Sequence, residues 1–136
     1  MVLDLVAYLI PLAGVLALTF VGLFVWQVSK QDAGTSRMKE IASWIQEGAN
    51  AFLRREFQTI GYFIVALAAL LLIVMWPRWQ IALGFVVGAS FSMLAIYIGM
   101  NAATRANVRT TAAARFSAAR ALMIAFRGGS AMGLSM

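Results

Sequence analysis

Charge and apolarity are segregated along this chain in a way no soluble core requires. Three runs, 5–28, 60–76 and 81–100, contain no Asp, Glu, Lys, Arg or His. Ten of the eleven Lys and Arg residues fall inside 30–55 and 105–127. The sequence is 62% hydrophobic, against about 45–50% in a soluble domain, and the excess sits in the runs. A bilayer core about 30 Å thick needs about 20 apolar residues as helix. The runs hold 24, 17 and 20 residues, so the second helix must continue beyond its apolar part. The expectation is an all-α, polytopic membrane domain over 1–136, with spans at about 5–28, 60–76 and 81–100. The first run reads as an uncleaved helix. The residues before it, Met1 to Asp4, carry no positive charge, and it exceeds the apolar core of about 7–15 residues typical of a signal peptide.

Composition removes several chemistries. The sequence has no cysteine and no histidine. Disulfides, thiolate nucleophiles, zinc sites and histidine acid–base catalysis are excluded for this chain acting alone. Ion paths through membranes normally keep ionisable groups inside the bilayer, and these three runs supply no charged ones. The formal charge of +6 would suggest nucleic acid in a soluble protein. Here the arginines flank spans and interleaved aromatics are scarce, so topology and anionic lipid explain them better.

The basic residues also orient the chain. Lys30, Arg37, Lys39, Arg54 and Arg55 lie in 29–59, and Arg105, Arg109, Arg115, Arg120 and Arg127 in 102–127, the latter without an acid. The positive-inside rule places both segments in the cytoplasm. Asp4 and the turn carrying Arg78 then lie outside.

Local signals refine this. Pro11 predicts a bend in the first span. Gly34 permits a left-handed turn, and Thr35 or Ser36 can cap the helix that follows. Met38, Ile41, Ile45, Ala49, Phe52 and Leu53 recur at helical spacing, opposite Lys39, Ser43, Glu47, Asn50 and Arg54. One long helix is expected from about Ser36 to about Trp76. Trp76 and Trp79 bracket Pro77, an interfacial turn. Gly84, Gly88, Ser92, Ala95, Gly99 and Ala103 form a stripe of small residues, expected to pack closely against another helix. The Ala- and Arg-rich stretch 101–126 reads as a helical extension. From about Gly128 the sequence reads as the start of a fourth span, cut short at Met136. The other acids, Asp32, Glu40, Glu47 and Glu56, read as solvated charges. Glu40 and Glu47 lie two turns apart, roughly 10 Å, too far to grip one metal together.

Three blocks carry a resemblance. The first is Lys30-Gln-Asp-Ala-Gly-Thr-Ser-Arg-Met-Lys-Glu-Ile-Ala, continued by Ile45-Gln-Glu-Gly-Ala-Asn-Ala-Phe-Leu-Arg-Arg-Glu-Phe. The second is Gly88-Ala-Ser-Phe-Ser-Met-Leu-Ala-Ile-Tyr-Ile-Gly-Met, followed by Ala103-Thr-Arg-Ala-Asn-Val-Arg-Thr. The third is Ala125-Phe-Arg-Gly-Gly-Ser-Ala-Met-Gly-Leu. In this order they closely resemble the first cytoplasmic loop and the second to fourth helices of membrane-integral inorganic pyrophosphatases, the pyrophosphate-energised proton or sodium pumps. Ile96 departs from the pattern, where the family favours a small residue.

The resemblance implies a homodimer with about sixteen helices per subunit in two rings. It implies pyrophosphate held with Mg2+ in a cytoplasmic funnel, an ion gate below it, and a bacterial inner membrane as the location. Those working parts belong to later helices. The segment here matches the outer-ring scaffold, so no catalytic, cofactor-binding or metal residue is carried over, and the chain alone is expected to be inactive. Arg105, Arg109 and Arg127 are read chiefly as topology and interhelix pairing, with steering of anionic pyrophosphate as the lesser alternative. Gln46, Glu47 and Asn50 could instead meet a neighbouring loop. The competing reading of the whole chain is a small multi-pass membrane assembly protein without enzymatic activity.

Overall fold

A computed structural model describes residues 2–136, with side chains from Tyr8 onward; Asp4 therefore lies outside the described side chains. Four helices follow one another: α1 (Val2–Ser29), α2 (Ser36–Val74), α3 (Trp79–Ala114) and α4 (Ala118–Ser135). There is no strand among the described residues. By length and composition, α1, α2 and α3 are each apolar enough to cross a membrane.

The helix ends follow local chemistry. α1 runs on through Pro11. Gly34 takes φ 80°, its N–H bonds to Asp32 Oδ1 at 3.0 Å, and Thr35 Oγ1 accepts from the Met38 N–H. That turn and cap start α2 where the sequence predicts. α2 then continues unbroken for 39 residues and ends before Pro77, which cannot continue the ladder.

One boundary differs from expectation. The extension anticipated over 101–126 is two helices, not one. α3 stops at Ala114, and the N–H groups of Phe116 and Ser117 both bond to the Ala113 carbonyl at 3.0 Å. Ser117 then adopts an extended backbone, and its hydroxyl accepts from the Arg120 N–H at 3.3 Å. A serine cap starts a new helix there, and α4 folds back along α3.

The helices pack as α2 on α3, with α4 on the other side of α3 and α1 against α4 and α3. Among the described residues α1 and α2 do not touch. Counted at about 1.5 Å per residue, an upright bilayer core of about 30 Å starting at the 75–78 turn reaches back to about Arg55 on α2 and on to about Ile98 on α3. The α3 members of the two buried clusters, Ala102 and Ala106, lie just beyond that limit. One joins Val21, Ala102 and Ala131, with Phe24, Val25 and Ile98 against it. The other joins Val28, Ala106 and Ile124.

The small-residue stripe behaves differently along its length. At Gly99 a Cβ would fall 2.8 Å from Met132 Cγ, so α3 and α4 touch nearly backbone to backbone there. A Cβ at Gly128 would collide with Ala106. At Gly84 and Gly88 a Cβ would meet nothing within 4 Å. The stripe packs at its basic end and is open at the other.

Candidate functional site

The polar features gather where α1 ends, α2 begins and the extension of α3 passes by. Arg109 holds this region together. Its Nε donates to the Gln31 carbonyl at 3.1 Å and its Nη2 to the Ser29 carbonyl at 3.4 Å. Its Nη1 donates to the Arg105 carbonyl one turn earlier at 2.8 Å. The carbonyls at a helix C-terminus have no partner within the helix and carry the negative end of its dipole. A planar guanidinium can satisfy several at once. Arg109 thus fastens the end of α1 to α3 across about eighty residues of sequence. Burial and, secondarily, the neighbouring Arg105 pull its guanidinium below its ordinary, strongly basic range. An arginine shifted down from there still keeps its charge at neutral pH.

The surroundings are made of the same kinds of residue. Lys30 Nζ lies 3.5 Å from the centroid of the Trp26 ring, a cation–π pair at the end of α1. Arg37 and Glu40 form an exposed ion pair at 2.8 Å. A small cavity of about 110 Å3 beside Arg109 is lined by Gln31, Asp32, Phe116 and Arg120. A second, of about 160 Å3, opens between α2 and α3, bounded by Met38, Ile41 and Ile45 facing Thr104, Val108 and Thr111. Part of the amphipathic face of α2 is therefore packed. Leu53 is buried, while Ile41 and Phe52 stay exposed.

The acids do not converge. Asp32, Glu40, Glu47 and Glu56 are all exposed. Among the described residues no three His, Cys, Asp or Glu side chains come together. Divalent metals such as Mg2+ are held by converging oxygen ligands, and the described acids do not fit that requirement, so no chemical step is assigned to a metal here. Glu47 and Asn50 are exposed, and Arg105 is exposed on the turn before Arg109. The Arg109 clamp escaped sequence reading. The i,i+4 pairing of Arg105 with Arg109 was visible, but nothing local points to carbonyls some eighty residues away.

These features define a segment of a helical membrane protein whose basic end is locked by polar contacts and whose apolar faces remain largely uncovered. Comparison with known proteins places it more narrowly. The profile of the inorganic H+ pyrophosphatase family matches residues 15–136. The chain is 47% identical over 126 residues to a K(+)-insensitive pyrophosphate-energized proton pump of Methanosarcina mazei, covering 93% of this chain and 19% of that protein. It is 50% identical over 123 residues to a putative K(+)-stimulated pyrophosphate-energized sodium pump of Clostridium tetani, covering 90% of this chain and 18% of the relative. A K(+)-stimulated pyrophosphate-energized sodium pump of Thermotoga maritima is 43% identical over 131 residues, 95% of this chain and 17% of that protein. The chain belongs to the inorganic H+ pyrophosphatase family, a family of membrane proteins. It spans about a fifth of the length of these relatives.

Proposed function

We propose that this chain is the N-terminal wall of a pyrophosphate-energised ion pump. In this reading it forms three spans and the start of a fourth, at about the boundaries given above. The N-terminus lies outside, and segments 29–59 and 102–127 lie in the cytoplasm of a bacterial inner membrane. Its partners are the bilayer, the remaining helices of the pump and a second copy of the whole subunit. The Mg2+ that assists pyrophosphate hydrolysis would be held by acids outside this segment. The role of the chain is to anchor and frame. Small residues bring α3 and α4 together, Arg109 fixes α1 to α3, and the bare apolar faces receive lipid or further helices.

The observation that carries this reading is the family match over 15–136 combined with its small share of the relatives' length. The test is complementation in membranes. The chain is joined in register to the remaining four-fifths of the Methanosarcina mazei relative, and Mg2+-dependent release of phosphate from pyrophosphate is measured. Hydrolysis by the chimera and none by residues 1–136 alone is the expected outcome. Hydrolysis by the 1–136 chain alone would sink the scaffold assignment. A chimera that reaches the membrane intact yet is silent would favour an independent assembly protein.

A further inference from the structure

α2 presses one side against α3 and leaves the other bare. Leu53 is buried in that contact, and Arg55, two residues on and so about 200° round the helix, is exposed. Beside Arg55, the exposed side chains of Asn50, Arg54 and Gln58 border a shallow concavity of about 410 Å3, with Ala51 between them. No acid lines it. Among the described residues the ion pair on α2 is Arg37 with Glu40, about four turns nearer the helix start, so both guanidinium groups here are without a carboxylate.

Depth decides what such a site meets. Counted from the 75–78 turn, Arg55 falls at the edge of the bilayer core, and Asn50 lies roughly 7.5 Å farther out. The headgroup layer is roughly 5–8 Å thick on each side, so the concavity spans the depth of the lipid phosphates. Below it the bare side of α2 continues with Tyr62, Val65 and Ile73, all exposed.

We propose that this concavity binds the headgroup of an anionic phospholipid, whose acyl chains lie along Tyr62, Val65 and Ile73. Each guanidinium presents a planar fork of N–H donors that matches a phosphate. The side-chain amides of Asn50 and Gln58 can donate to the remaining headgroup oxygens. Two features favour a lipid over a soluble phosphate. The charge stands at headgroup depth, and an uncovered apolar face runs on directly beneath it. The site needs only that α2 crosses a bilayer, and it does not depend on the pump reading above.

The experiment measures the lipid retained by the 1–136 chain and by the chimera described above. Each is purified in neutral detergent, supplied with equal amounts of phosphatidylglycerol and phosphatidylcholine, and read by native mass spectrometry. Both proteins should retain phosphatidylglycerol in preference. Arg54→Gln with Arg55→Gln should cut that preference on the order of tenfold, the worth of two arginines near an anionic surface. Lys39→Gln with Arg120→Gln removes the same charge beyond the headgroup layer and should leave the preference nearly unchanged. All four side chains are exposed, so neither variant disturbs packing. Equal loss in the two double variants would reduce the effect to net charge and overturn the site. So would an unaltered preference after both Arg54 and Arg55 are replaced. Retention by the 1–136 chain but not by the chimera would also overturn it, since neighbouring helices would then cover this side of α2. Displacement of the lipid by glycerol phosphate at the same concentration would do so too, by assigning the site to a soluble anion.

Discussion

At the basic end, Val28, Ala106 and Ile124 are each 3% exposed; towards the other end, Tyr62 and Ile73 on α2 are 78% and 76% exposed. Both groups are largely apolar, the first drawn from α1, α3 and α4 and the second from α2. The difference lies in the surrounding solvent. Beyond the bilayer core an apolar side chain is driven inward, at about 1.5–3 kcal/mol for a full Val or Ile side chain. Within lipid there is no such drive, and helices meet where small residues allow close packing or polar groups bond across. The basic end therefore builds a core from Val, Ile and Ala and locks it with Arg109. The apolar end stays open except at contacts such as Ala82, buried near the α2–α3 turn.

This contrast can be broken most forcefully at Gly128. Gly128→Leu drives a side chain into Ala106 and should cost about 3 kcal/mol through overpacking. The yield of monodisperse 1–136 chain after detergent extraction should collapse; an unchanged yield would mean the α3–α4 crossing is not as close as described. Ile124→Ala opens a hole between α1, α3 and α4 and should cost about 2–3 kcal/mol, read as a lower unfolding midpoint in detergent. Arg109→Ala strands the carbonyls of Ser29 and Gln31 and should cost about 2 kcal/mol, the range for hydrogen bonds from a charged group. Arg109→Lys should recover only part of that, because an ammonium cannot span three carbonyls as a fork does. Equal stability of all three proteins would remove the clamp from the account. Ser117→Ala removes the α4 cap and should cost about 1 kcal/mol, with amide exchange rising first in the opening turn of α4. The smallest effect is expected at the open end. Gly84→Leu in the 1–136 chain should shift stability by no more than about 0.5 kcal/mol, and a loss as large as that of Gly128→Leu would erase the distinction between the two ends.

Much of the fold was legible from residue order. The apolar runs announced α1, α2 and α3, because a helix is the local way to satisfy backbone groups in lipid. Gly34 and Thr35 marked the start of α2, and Pro77 its end, through chemistry confined to a few residues. Ser117 carried an equally local signal, but strong helix formers on either side of it masked the break. The small-residue stripe was visible as a packing face, yet its division into a packed and an open half was not. That division depends on where α4 lies, and α4 is reached only after the reversal at 115–117.

By itself, the sequence determined what each stretch of chain prefers as surroundings: helices in lipid, basic ends in water, and the capping chemistry of Gly34 and Thr35. Those preferences act over one or a few turns and need no knowledge of neighbours. Tertiary structure alone decided which helices meet, that Arg109 reaches back to Ser29 and Gln31, and that Gly99 and Gly128 are crowded while Gly84 and Gly88 stand open. Contact between distant segments depends on the trajectories of whole helices, and no single window of residues contains them.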